Sequence, residues 1–225
     1  MRQFLSVTIF GIVGVAILLS LGIWQLRRLE WKEGLISTAE AKIAQAPVPI
    51  PEKPDPARDR YLPVVVDGAF TGEETHVLTS DSSKGPGFLV IASFVADDGR
   101  RIMVDRGYVP ESSKNAARPG HRAHVVGNLN WPDDVTSSTP PHDEARDIWF
   151  GRDVDGMARQ LTTEPILVIA RTDTGDGITP VPAAATFRND HLGYAMTWFS
   201  LAAVWAGMTL LWLWRIRRRT TRYSG

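Results

Sequence analysis

Two long apolar runs bracket this chain, and nearly everything that alternates or carries charge lies between them. From Gln3 to Leu26 there are 24 residues without a charge, built mainly from Phe, Leu, Ile, Val, Gly and Ala, and from Leu192 to Trp214 another 23. At about 1.5 Å per residue each run is long enough, as a helix, to cross a hydrocarbon core of roughly 30 Å with some tilt. The pattern predicts two transmembrane helices. Helix formers with mixed charges continue from Arg27 through Lys42-Ile43, which carries the first helix beyond the bilayer until Pro47 stops it. Pro47, Pro49, Pro51, Pro54 and Pro56 then read as a semi-rigid, polyproline-like spacer without chemistry of its own.

Beyond Tyr61 the period changes from helical to strand-like. Leu62–Phe70, Thr75–Thr79, Phe88–Val95, Arg101–Val109, Ala123–Leu129 and Ile166–Ala170 are short β-branched runs separated by turn residues. Asp98-Gly99 supplies the positive φ of a tight hairpin, and one helix is predicted over Val154–Leu161 with Asp153 as its N-cap. The expected fold is an α+β membrane protein. Two transmembrane helices flank an extracytoplasmic antiparallel β barrel or sandwich. The segments are 1–44 (first helix and its extension), 45–60 (Pro-rich linker), 61–187 (β-rich domain), 188–214 (second helix) and 215–225 (basic tail).

Charge gives this arrangement an orientation. The formal net charge is zero, but the region from Arg27 to Asp190 holds all 25 acidic residues and 19 of the 25 basic ones. Arg2 precedes the first run, and Arg215, Arg217, Arg218, Arg219 and Arg222 follow the second. By the positive-inside bias both termini face the cytoplasm and the central domain is exported, a large domain crossing regardless of its charge. Arg27 and Arg28 run against the rule, but their stems can snorkel to the headgroups. A cleaved signal peptide is the alternative for the first run, since Ser20-Leu21-Gly22 offers small residues, but the run exceeds the ~7–15 residues of a signal core. The reading is a two-pass protein of the bacterial inner membrane.

The chain has no cysteine, which excludes disulfides and thiolate metal sites. His121-x-x-His124 would send its rings to opposite faces of a strand. Ser80, Ser82 and Ser83 near Asp81 lack a nucleophile elbow, and Gly85-Pro86-Gly87 lacks the Lys-Ser/Thr of a phosphate loop. An exported domain of net negative charge is a poor nucleic-acid partner. His191 stands apart, because an ionisable group at the mouth of a transmembrane helix is a functional candidate. Ala195, Trp198 and Ala202 follow it at i+4, i+7 and i+11, a small-residue notch beside an aromatic plane that suits a flat cofactor such as haem. The alternative is an interfacial histidine beside capping Asn189 and Asp190, with Tyr194 and Trp198 as belt aromatics. Ala202-x-x-x-Ala206 and Ala203-x-x-x-Gly207, facing Gly11, Gly14 and Gly22, offer a helix–helix contact instead.

Four stretches together resemble the Surfeit-locus family of cytochrome oxidase assembly proteins. Gly22-Ile23-Trp24-Gln25-Leu26-Arg27-Arg28 is similar to a Gly-x-Trp-Gln-x-x-Arg signature. Val104-Asp105-Arg106-Gly107-Tyr108-Val109-Pro110 is similar to an Arg-Gly-Trp-Val-Pro segment, with Tyr108 replacing tryptophan. Trp149-Phe150 with Asp153 and Met157-Ala158 forms a third, and Arg188 to Phe199 resembles an Asn-Asn-His-Leu-x-Tyr-Ala-x-Thr-Trp-Phe doorway with Asp190 replacing the second asparagine. The resemblance implies a non-enzymatic, membrane-anchored assembly factor for a haem–copper terminal oxidase that carries haem A, with His191 as iron ligand. Trp24, Arg28 and Trp198 complete the expected haem contacts, Arg28 reaching a propionate from the depth of His191. Expected partners are the oxidase catalytic subunit or the haem A synthase, met by the outer domain through Arg106 and Tyr108. The alternative is a cofactor-free scaffold for oxidase subunits.

Overall fold

The computed structural model describes residues 2–81, 84–183 and 190–222. The chain divides into two compact units, one made of the terminal segments and one of residues 39–185. In the first, helix α1 (Arg2–Ile43) and helix α4 (His191–Arg222) pair antiparallel. Thr209 lies on Gly11, Trp205 on Gly14 and Phe199 on Gly22, so that a Cβ at any of these glycines would collide with its partner. Glycine on one helix therefore receives bulk from the other, which maximises van der Waals contact where no hydrophobic force acts between helices. The expected small-on-small contact is not what forms. Gly207 faces open space and Ala203 is exposed, whereas Ala195 and Ala202 are buried on the stripe that also carries His191, Trp198, Trp205 and Thr209. That stripe advances by alternating steps of four and three residues, the spacing of a coiled-coil seam. Both helices are long and apolar enough to cross a membrane, and only 6% of either apolar window is buried, unlike the core helix of a water-soluble protein.

The second unit is a barrel. Strands β2 (Pro63–Asp81), β3 (Gly85–Ala96) and β4 (Arg101–Pro110) form an antiparallel meander. Strand β5 (Arg122–Asn130) returns to pair with the first half of β2, which makes a Greek key. Strand β7 (Leu167–Ala170) then closes the ring, antiparallel to β5 and parallel to β4. The sheet is thus mixed rather than wholly antiparallel. β4 and β5 run in opposite directions, so a strand closing the gap between them must be parallel to one of the two; β7, joined to β5 through helix α3 (Val154–Leu161), is parallel to β4. Five strands closing in this way give a barrel of the OB type.

Residues 62–70 and 75–79, expected as two strands, are one bent strand. A bulge between Phe70 and Glu74, with Gly72 at φ +86°, turns it sharply enough to belong to two sides of the barrel. Phe94, Ile102, Val104, Val125 and Leu129 fill the interior, while Leu89, Ile91, Met103 and Leu167 face outward under α3. β3 and β4 are covered on both faces, which is why their sequences run apolar without alternation. The Asp98-Gly99 hairpin forms as expected, with Gly99 at φ +90° and Ala96 N–H bonded to the Arg100 carbonyl at 2.9 Å. So does α3, whose Gly156 N–H is accepted by the Asp153 carboxylate at 2.9 Å.

The Pro-rich segment is not a free spacer. Strand β1 (Val48–Pro49) pairs with Val64 and Val65, Ile50 is buried in the core, and helix α2 (Pro56–Asp59) is capped by Asp55. The Arg100 guanidinium donates to the carbonyls of Ile50 and Pro51. Prolines forbid a central strand but suit a barrel edge. The remaining strand, β6 (Ile148–Trp149), runs parallel to His76 and Val77 of β2.

Candidate functional site

Gln25 is the sole amide in the apolar run of α1 after Gln3, and it is buried to 9% exposure. Its side-chain oxygen accepts a hydrogen bond from His191 Nδ1 at 2.7 Å, 166 residues along the chain. An amide oxygen can only accept, so Nδ1 carries a ring proton, and in the neutral tautomer Nε2 keeps the lone pair that a metal would take. An imidazole oriented through one nitrogen, with no bond recorded at the other among the described residues, is the arrangement of a metal-ligating histidine. His191 is half-buried, which leaves the ring an accessible edge. Asp190 accepts the first helical bond, from Tyr194 N–H at 3.2 Å, so α4 starts at the histidine. Arg188 and Asn189 of the doorway lie outside the described residues.

The other expected haem contacts take different positions. Trp24 is 57% exposed. Arg28, one turn on from it, is exposed and lays its guanidinium over the Trp31 ring at 4.0 Å. The stack occupies the cation's face and leaves its in-plane N–H groups available. Trp198 is half-buried on the seam stripe. The notch formed by Ala195 and Ala202 is closed, because both are buried. A flat ligand at His191 must therefore approach from outside that seam.

Arg106 and Tyr108, expected to meet a partner, are interior residues. Arg106 is 1% exposed and donates to Thr174 Oγ1, to the Thr174 carbonyl and to Asp176 Oδ2 at 2.7 Å, with its guanidinium 4.3 Å from the Phe70 ring. Tyr108 is 3% exposed, and its hydroxyl reaches the carbonyls of Lys84, Gly85 and Pro86. Direct contact with a partner does not fit that burial. They hold loops in place. Between them Gly107 sits at φ +115°, where a Cβ would strike the Thr179 carbonyl, and Asp105 is buried with Gly107 N–H and Arg152 as partners. Burial pushes the Asp105 carboxyl up to about 6 against the opposing pull of Arg152.

A dense polar cluster of the barrel surrounds His76, a residue to which no sequence motif assigns a role. Its Nδ1 lies 3.0 Å from Asp147 Oδ2 and its Nε2 at ion-pair distance, 3.3 Å, from Glu74. Asp147 also accepts from Thr75 and Gln160, and Glu74 from Arg118 at 2.6 Å. Burial alone would lower the His76 imidazole, but the two carboxylates outweigh it and hold it above the usual histidine value. Asp147 lies below the usual carboxylate range, because its hydrogen bonds to His76, Thr75 and Gln160 exceed the cost of burial. His142 stacks on Trp149 at 4.1 Å, His121 bonds to the Thr174 carbonyl, and His124 pairs with Asp67. Among the described residues no three His, Asp or Glu side chains converge as a metal site.

The SURF1 family model matches residues 12–203, a span that contains Gln25, Arg106 and His191. The chain belongs to the SURF1 family. It is 32% identical to a SURF1-like protein of Monosiga brevicollis, over 91% of this chain and 85% of the relative. It is 31% identical to Surfeit locus protein 1 of Xenopus tropicalis, over 86% of this chain and 70% of the relative. With the rat protein of that name it shares 29%, over 96% and 75%. SURF1-family membership supports the role in cytochrome oxidase assembly that the motifs imply. Within it, Gln25 is the residue that sequence reading left without a role, and its signal was an amide in an apolar helix.

Proposed function

We propose that this SURF1-family chain is an inner-membrane assembly factor that holds haem A through His191 and hands it to the catalytic subunit of a haem–copper oxidase. The observation that supports the reading is the Gln25–His191 hydrogen bond, which ties the two doorway motifs into one site. Haem A is cargo here, and its iron is a Lewis acid that accepts a neutral imidazole nitrogen. Gln25 fixes the ring proton on Nδ1 and aims Nε2. An amide is a weaker acceptor than the carboxylate often found behind a ligating histidine, so it makes the ring a less basic ligand, which suits a carrier that must release. Arg28 offers its in-plane donors to a propionate, while Trp24 and Trp198 supply apolar surface. Arg2 and the arginines after Trp214 place both termini in the cytoplasm and the barrel outside, where its loops dock on the oxidase or on the haem A synthase. Arg106 and Tyr108 act through the loops they hold.

The test is the absorption spectrum and haem extract of the detergent-purified chain, co-expressed with haem A synthesis, for wild type, His191→Ala and Arg28→Ala. Wild type should carry haem A and His191→Ala should lose it or shift its bands. Unchanged retention in Arg28→Ala removes the propionate role. If no variant, wild type included, holds haem, the cofactor-free scaffold takes the place of this reading.

A further inference from the structure

The arginine-rich end of the helix pair holds a second, unrelated feature. Val7 and Phe10 of α1 and Trp205, Met208, Trp212 and Arg215 of α4 line a cavity of about 570 Å³, within the roughly 300–1,000 Å³ of ligand-binding clefts. Its walls are almost wholly apolar. The Thr209 hydroxyl is bonded to the Trp205 carbonyl at 2.8 Å, and the Trp205 indole nitrogen turns toward Gly14. Arg215 is exposed at one end, beside Trp212, which is 58% exposed and of the type that settles at the headgroup level.

Length and charge identify what fits. From Trp205 to Arg215 is ten residues of helix, about 15 Å, half of a hydrocarbon core of roughly 30 Å. The cavity is thus one leaflet deep, with an aromatic floor and a guanidinium at its mouth. A chain lying in it would present its head group to Arg215, and a guanidinium pairs with a phosphate through two parallel hydrogen bonds. Arg218, by contrast, stacks on the Trp214 ring at 3.9 Å and does not line the cavity. We propose that this cavity binds an anionic phospholipid, with one acyl chain between Phe10 and Met208 and the phosphate on Arg215. Zwitterionic lipids fit the apolar walls equally well and carry the same phosphate, but their ammonium competes with the guanidinium for it, so selectivity rests on the net charge of the head group. The site shares no residue with the haem reading, and either can fail alone.

The experiment is native mass spectrometry of the full chain, released from micelles containing equal amounts of phosphatidylglycerol and phosphatidylethanolamine. Wild type should retain phosphatidylglycerol preferentially. Arg215→Gln should reduce that retention about fivefold, the effect of one well-placed arginine, whereas Arg218→Gln, an identical change of charge, should alter it by less than about twofold. Val7→Phe, which narrows the cavity, should reduce retention of both lipids. Equal losses in the two arginine variants would mean diffuse attraction to a basic tail and overturn the proposal, as would absence of lipid preference in wild type or full retention in Val7→Phe.

Discussion

His191 and His76 show two opposite uses of the same ring. His191, in the helix pair, gives one nitrogen to a neutral amide and keeps the other open. His76, in the barrel, has a carboxylate at each nitrogen and a folded-state pKa above the usual histidine value. An imidazole engaged at one nitrogen is a potential ligand; a ring set between two carboxylates is a structural bridge. The partner on the second nitrogen decides between them. In sequence His191 was marked out by its place at the mouth of an apolar run, whereas His76, in a short β-branched stretch, carried no such sign.

Paired substitutions would break this contrast most directly. His76→Ala leaves Asp147 and Glu74 without the imidazole between them and should destabilise the chain by about 2–3 kcal/mol, after allowance for the partial exposure of Asp147. His191→Ala should cost less, about 1 kcal/mol, because the buried Gln25 amide loses one hydrogen bond. Chemical denaturation of both variants would test this, and comparable losses would mean that His191 is also structural.

A smaller effect sharpens the ligand side. Gln25→Leu removes the acceptor behind His191 and should weaken haem A retention by about 10–100-fold, as loss of a residue supporting a ligand does. Gln25→Glu, a stronger acceptor, should instead tighten retention and slow release. Titration of the purified variants with haem, followed by absorbance, would decide; equal affinities in all three would separate Gln25 from the site.

The smallest effect is the pH dependence of the barrel. His76 has a folded pKa raised above its unfolded value, so its contribution is fully present below about 6.5 and is lost as pH climbs through the folded value. Asp105, raised to about 6, has the same sign, its contribution fading between about 4 and 6. Asp147 has the opposite sign, lowered in the fold, so its contribution is present above the usual carboxylate pKa and lost on acidification. Thermal midpoints should therefore fall on both sides of a mildly acidic maximum. His76→Gln should flatten the alkaline limb and Asp105→Asn the slope between about 4 and 6. An unchanged alkaline limb in His76→Gln would mean that the two carboxylates do not hold that ring's pKa up.

Much of the fold could be read from local pattern. The two apolar runs became α1 and α4, the Asp98-Gly99 turn formed, and Asp153 capped the helix at the expected residues. These features depend on neighbours a few residues away. The misreadings came from distant ones. The Pro-rich segment looked like a spacer because its partners, Val64, Val65 and Arg100, lie elsewhere in the chain. Arg106 looked like a surface contact because a buried arginine is rare without partners, and its partners, Thr174 and Asp176, are some seventy residues away.

By itself, then, the sequence determined the two membrane-length helices, the β character of the middle, the acidic interior flanked by basic ends, and the four motifs of the SURF1 family. Helix length, strand period and turn chemistry are encoded within windows of a few residues, and the motifs are strings. Tertiary structure alone decided that β7 closes the barrel parallel to β4, that Arg106 and Tyr108 face inward, that His76 sits between two acids, and that Gln25 stands behind His191. The reason is physical: which nitrogen of a ring is free, and which face of a strand is covered, depends on atoms that chain folding brings within about 3 Å, and no local pattern records which ones those will be.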